Sequence, residues 1–106
     1  WKRLKMQKPV VVFGVVRDKD YSSMVHEIAR IADQAVTVAA RTPRSRPASD
    51  LAAAFEREKC KNVAALSVEE GMRIAMQLAG QNGTILVTGS HFVVGEAMVA
   101  VGRKKA

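Results

Sequence analysis

The chain has 106 residues, 48% of them apolar and 25% charged, with a formal net charge of +7. This length suits one domain with a core of its own, and the apolar content excludes a disordered chain. A single cysteine, Cys60, excludes an internal disulfide, no Cys/His cluster offers a metal site, and no apolar run approaches the roughly twenty residues of a membrane span. The expectation is a soluble protein of a reducing cytoplasm with no metal ligands and no membrane partner.

In chain order, the first strand is expected over Val10–Phe13, a continuous β-branched run of the kind that is covered on both faces. Asp20 is placed to cap a helix from Tyr21 to about Ala32, with Met24, Ile28, Ile31 and Ala35 recurring at helical spacing as its buried stripe. The second strand is Ala35–Val38. Arg41-Thr42-Pro43-Arg44-Ser45-Arg46-Pro47 then reads as a loop, because each proline disfavours helix before it. A helix from about Ala48 to Lys59 buries Leu51 and Phe55, and a short third strand spans Val63–Leu66. Ser67-Val68-Glu69-Glu70 has capping-box spacing, with Val68, Met72, Ala75 and Ala79 as the inner face of the helix it starts. Gly80 suits a helix C-cap and Asn82-Gly83 a turn. The fourth strand is Thr84–Thr88, and the last helix runs from about Phe92 to Val101.

Strand and helix alternate, so the expected fold is α/β: a Rossmann-like parallel sheet of four strands with helices on both faces. Right-handed crossovers favour the order 3-2-1-4. Strands one and four are then neighbours, and the chain reverses direction between them. Ligands bind outside the carboxyl edge at such a switch point. The loops there are Arg17-Asp18-Lys19-Asp20 and Gly89-Ser90-His91, with the arginine loop after strand two on the same edge. Backbone N–H groups, a hydroxyl and the positive end of a helix dipole make a phosphate or carboxylate the natural guest. The positive charge is otherwise scattered. Lys2, Arg3, Lys5 and Lys8 open the chain and Arg103, Lys104 and Lys105 close it, as solvated tails. No recognition-helix pattern or aromatic stacking platform accompanies them, so no nucleic-acid partner is expected.

Three segments carry a family resemblance: Phe13-Gly14-Val15-Val16-Arg17-Asp18-Lys19-Asp20, Thr42-Pro43-Arg44-Ser45, and Val87-Thr88-Gly89-Ser90-His91-Phe92-Val93-Val94-Gly95-Glu96. In order and spacing they resemble the C-terminal domain of folylpolyglutamate synthase/dihydrofolate synthase, within the Mur ligase superfamily. His91-Phe92 stands where that family usually has a leucine or similar residue and an aromatic. The resemblance spans most of the chain and implies that residues 1–106 are a single Mur ligase-type C-terminal domain. The parent it implies is a cytoplasmic ATP-dependent carboxylate–amine ligase of folate biosynthesis and one-carbon metabolism. In that family a folate or dihydropteroate carboxylate is phosphorylated by ATP, and the amine of glutamate attacks the acyl phosphate. The C-terminal domain closes on a central domain and helps hold glutamate and nucleotide. ATP and Mg are bound mainly outside this segment, and folate or dihydropteroate is reached through the missing N-terminal part.

This chain has neither the Gly-x-x-x-x-Gly-Lys-[Ser/Thr] phosphate loop nor the family's Asp-Gly-Ala-His-Asn-Pro stretch. It also starts at Trp1. It therefore reads as a piece of a longer enzyme that is inactive alone, with no catalytic residue of its own.

The resemblance makes Lys19, Arg44 and Ser90 the substrate-binding candidates. Lys19 matches the lysine placed near the incoming amino acid, Arg44 follows proline as in an arginine motif that grips a carboxylate, and Ser90 brings a hydroxyl. Asp20 and His91 are candidates for nucleotide or closure contacts, Asp20 beside its capping role. The remaining candidates read as structural. Arg41 and Arg46 are surface charge, Asp18 a solvated or lysine-paired carboxylate, His26 exposed and Cys60 a spectator. Gly95 reflects close helix–strand packing, and Glu96 pairs with a basic loop. Two other classes stay open: a free-standing Rossmann-like module for a nucleotide or acidic metabolite, and a basic nucleic-acid-associated protein. The first lacks Gly-x-Gly-x-x-Gly after strand one, and the second has only charge in its favour.

Overall fold

A computed structural model describes residues 8–105, with side chains as far as Gly102. The terminal basic clusters, apart from the exposed Lys8, lie outside the described side chains. Eight elements alternate: β1 (Val10–Gly14), α1 (Tyr21–Ile31), β2 (Gln34–Thr37), α2 (Ala48–Arg57), β3 (Asn62–Ala64), α3 (Val68–Ala79), β4 (Ile85–Gly89) and α4 (His91–Lys105). The strands form one parallel sheet in the order β3-β2-β1-β4, as the alternation predicts. All five residues of β1 are buried, as its unbroken apolar run requires.

Alternate residues of the sheet feed two cores. Val11, Phe13 and Ala35 pack with Val25, Ile28, Leu51, Ala54 and Phe55 of α1 and α2. Val10, Val12, Val36 and Val38 pack with Val68, Met72, Ala75, Val93 and Ala97 of α3 and α4. In the first core Phe13 and Phe55 meet edge to face, ring centroids 5.8 Å apart and planes at 87°, the arrangement that ring quadrupoles favour.

Several expectations need correction in detail. The inner stripe of α1 is Val25 and Ile28, while Met24 is half-buried and Ile31 is 42% exposed. Both stripes satisfy the helical period, so spacing alone could not choose between them. β3 stops at Ala64, where its pairing with Thr37 of β2 ends, leaving Leu66 93% exposed. The capping box is half as expected. Glu70 N donates to Ser67 Oγ at 3.0 Å, but the Glu70 carboxylate accepts from Leu66 N at 2.8 Å rather than from Ser67. Gly95 does not mark close packing, because a Cβ there would meet nothing within 4 Å. Close packing falls instead at Gly14, Gly71 and Gly89. A Cβ on Gly89, whose φ is +120°, would sit 1.8 Å from Gly14 O.

Candidate functional site

β1 and β4 run side by side to a shared end, Gly14 opposite Gly89. Just beyond it Ser90 N donates to Gly14 O at 2.9 Å, carrying the ladder one residue past the strand. Ser90 is also the N-cap of α4: its Oγ accepts from Val93 N at 3.2 Å, and its carbonyl accepts from Val94 N at 3.1 Å. The hydroxyl keeps its proton free to donate outward. Helix geometry leaves the N–H groups of His91 and Phe92 without intrahelical partners at the same end. This junction thus offers main-chain N–H groups and a hydroxyl as donors.

The loops after β1 and β2 are zipped together. An antiparallel bridge joins Val16 to Ser45. Arg17 N donates to Arg44 O at 2.7 Å, and Arg46 N donates to Val15 O at 2.9 Å. Arg17 Nε adds a bond to Ser45 O at 3.2 Å, and Ser45 Oγ donates to Ala40 O at 2.9 Å. A further tie reaches across the molecule: Arg41 N donates to Glu96 Oε2 on α4 at 2.7 Å. The expected pairing of Glu96 with the basic loop is therefore found, through the main chain of Arg41.

Lys19, Arg44 and Ser90 all follow carboxyl ends of parallel strands, so they share one edge of the sheet. Lys19 and Arg44 are exposed. Among the described residues neither has an ion-pair partner. No hydrogen bond joins the side chains of Lys19, Arg44 and Ser90 to one another; Arg44 is brought to the Lys19 loop by main chain. Asp20 stands before α1 but makes no side-chain cap, and its carboxylate instead accepts from Ser23 Oγ at 3.3 Å. His91 is exposed at the start of α4. Asp18 is exposed and has no ion pair among the described residues. His26 is exposed as expected and lies 3.0 Å from Glu58.

Arg46 departs from the surface charge expected of it. It is 28% exposed, stacks 4.9 Å over the Tyr21 ring, lies 3.5 Å from Asp50 and donates to Arg17 O. The i,i+4 spacing to Asp50 was visible in the sequence; the contact with Tyr21 depends on two loops meeting and was not.

A cavity of about 190 Å³ opens nearby, lined by Arg41, Ser67, Glu69, Gly95, Glu96, Val99 and Ala100. None of the sequence-predicted site residues lines it. Among the described residues no three His, Cys, Asp or Glu side chains come close enough to hold a metal ion. Also among them, no helix is long and apolar enough to cross a membrane. Cys60 is buried, and burial pushes its thiol pKa up, with Asp33 adding to the shift and Lys8 opposing it. Its sulfur is a poor nucleophile. Among the described residues the edge therefore presents two unpaired cations, a hydroxyl and open N–H groups, donors suited to an anion.

A family model for the Mur ligase glutamate ligase domain matches residues 1–91. The chain belongs to that family. Solved structures agree on the fold. Escherichia coli FolC in complex with DHPP and ADP superposes with a TM-score of 0.83 at 23% identity, over 99% of this chain and 25% of that one. The bifunctional folylpolyglutamate synthase/dihydrofolate synthase of Yersinia pestis CO92 gives 0.76 at 25% identity, over 95% and 24%. Mycobacterium tuberculosis folylpolyglutamate synthase complexed with ADP gives 0.72 at 18% identity, over 94% and 24%. Among curated proteins none matches the chain significantly. The glutamate-ligase domain thus spans about a quarter of the length of the structures it resembles.

Proposed function

We propose that this domain is the C-terminal part of an ATP-dependent ligase that joins glutamate to a folate or dihydropteroate carboxylate. In the reaction ATP gives its terminal phosphoryl group to a carboxylate oxygen, leaving ADP and an acyl phosphate. The glutamate amine then attacks the carbonyl carbon. A C–N bond forms, the C–O bond to phosphate breaks, and phosphate and a proton leave. Mg²⁺ would offset charge on the phosphates from the part of the enzyme outside this chain.

The domain's own contribution is binding. Lys19 and Arg44 supply two cations for the glutamate carboxylates, and Ser90 supplies a hydroxyl donor beside the open N–H groups of α4. Asp20 and His91 flank them as contacts to the nucleotide or to the rest of the enzyme on closure. The observation that carries this reading is the zipped loop pair. It fixes Arg44 against the Lys19 loop on the switch-point edge of a domain whose family is a glutamate ligase.

Kinetics on the full-length polypeptide test the reading. Arg44→Ala should raise the glutamate KM by about one to two decades, since a hydrogen bond to a charged group is worth roughly 1.5–3 kcal/mol. The KM for ATP should stay close to its starting value. Arg44→Lys should restore little, because an ammonium lacks the planar fork. A glutamate KM and kcat unchanged in both variants would return Arg44 to the ordinary surface. The isolated 106-residue chain should release no ADP above background with dihydropteroate and glutamate.

A further inference from the structure

Both main-chain polar groups of Arg17 are held by the loop after β2. Its N–H donates to Arg44 O at 2.7 Å, and its C=O accepts from Arg46 Nη2 at 2.5 Å. Arg17 lies two residues before Lys19, so this pair of bonds links the segment carrying one site cation to the segment carrying the other. The Arg46 guanidinium also reaches Asp50 on α2 at 3.5 Å and lies 4.9 Å over Tyr21 at the start of α1. One side chain thus touches both loops and the first turns of both helices that follow them.

For stability alone Arg46 is an awkward choice. Its side chain is 28% exposed, so most of a charged group has left water. Its Nε is buried without an acceptor among the described residues. Such a donor costs free energy, and an unbranched apolar side chain would fill the same space without that penalty. What an apolar side chain cannot do is hold the Arg17 carbonyl.

We infer that Arg46 is a positioning residue: by gripping Arg17 it sets Lys19 and Arg44 at the spacing that receives the two ends of a dicarboxylic amino acid, and it touches no substrate itself. The inference rests on the proposed glutamate site.

The test uses Arg46→Met and Arg46→Lys in the full-length polypeptide, alone and with Arg44→Ala. Methionine keeps the reach and the contact with Tyr21 and removes every donor. Lysine keeps the charge but not the fork. Arg46→Met should raise the glutamate KM about tenfold, with kcat and the KM for ATP nearly unchanged and the melting temperature preserved. Lysine should recover only part of the loss. In the Arg44→Ala background Arg46→Met should add little, because there is no longer a pair to align.

An unchanged glutamate KM in Arg46→Met, or an effect that adds in full to that of Arg44→Ala, would overturn the inference. Complete rescue by lysine would overturn it too, by showing that charge alone suffices. If Arg46→Met lowers the melting temperature by more than about 5 °C, Arg46→Lys alone and with Arg44→Ala carries the comparison. If Arg44→Ala itself leaves the glutamate KM unchanged, the site reading fails as a whole, and that result is distinct from failure of the positioning role.

Discussion

The two faces of the sheet are finished differently. Beneath α1 and α2, Phe13, Leu51 and Phe55 are fully buried around an edge-to-face ring pair. Beneath α3 and α4 the inner residues are mostly smaller and none is aromatic: Val68, Gly71, Ala75, Val93 and Ala97, with Met72 the one long side chain. The outer side of α4 leaves Met98 70%, Val99 54% and Phe92 44% exposed. Large side chains need space and fix their helices when they find it; small ones allow close approach and contribute less transfer free energy. The difference bears on the site. The well-filled face supports the loops that carry Lys19 and Arg44, whereas Ser90 rests on the lightly held helix.

Three experiments can break or sharpen this contrast. Phe55→Ala should cost about 3–5 kcal/mol by urea unfolding, the usual loss for a buried phenylalanine. Met98→Ala on the other face should stay within about 0.5 kcal/mol. Equal losses would mean that the faces are equally consolidated.

The glycines of the lighter face should split in sign. Gly89→Ala forces a side chain into left-handed backbone against Gly14 O and should cost about 1–3 kcal/mol. Gly95→Ala enters open space in a helix and should stabilise by roughly 0.5–1 kcal/mol. A destabilised Gly95→Ala would show that α4 is gripped more closely than its exposure indicates.

The smallest effect belongs to Cys60 in the well-filled core. Its thiol pKa is raised in the folded chain by burial first, then by Asp33. The folded state therefore holds the proton more tightly than the unfolded one. Stability from this group is fully present below its ordinary value near 9.0 and is lost as pH rises through the higher folded value. Cys60→Ala should flatten the alkaline end of the stability curve, and a profile identical to the parent's would place the thiol in water.

The sheet order was legible because it follows from alternation and crossover handedness, which need no side-chain detail. The shared edge of Lys19, Arg44 and Ser90 followed from the same topology. Arg46 was legible only toward Asp50: its partners Tyr21 and Arg17 lie 25 and 29 residues away in the chain, and no spacing rule joins them. Gly95 misled for the opposite reason. A glycine in a helix signals either contact or nothing, and only the neighbouring atoms decide. Ser90 drew attention for its hydroxyl as a binding group, and the structure shows that hydroxyl capping α4, as a serine between strand and helix does by local rule.

The antiparallel bridge between Val16 and Ser45 has an entropic consequence. Two independent loops would each lose conformational freedom when a ligand pinned them, about 1–2 kcal/mol for every residue newly fixed. Joined at Arg17, Arg44 and Arg46, they have surrendered much of that freedom during folding. A guest at this edge meets a surface already ordered, and more of its contact energy is left to appear as affinity.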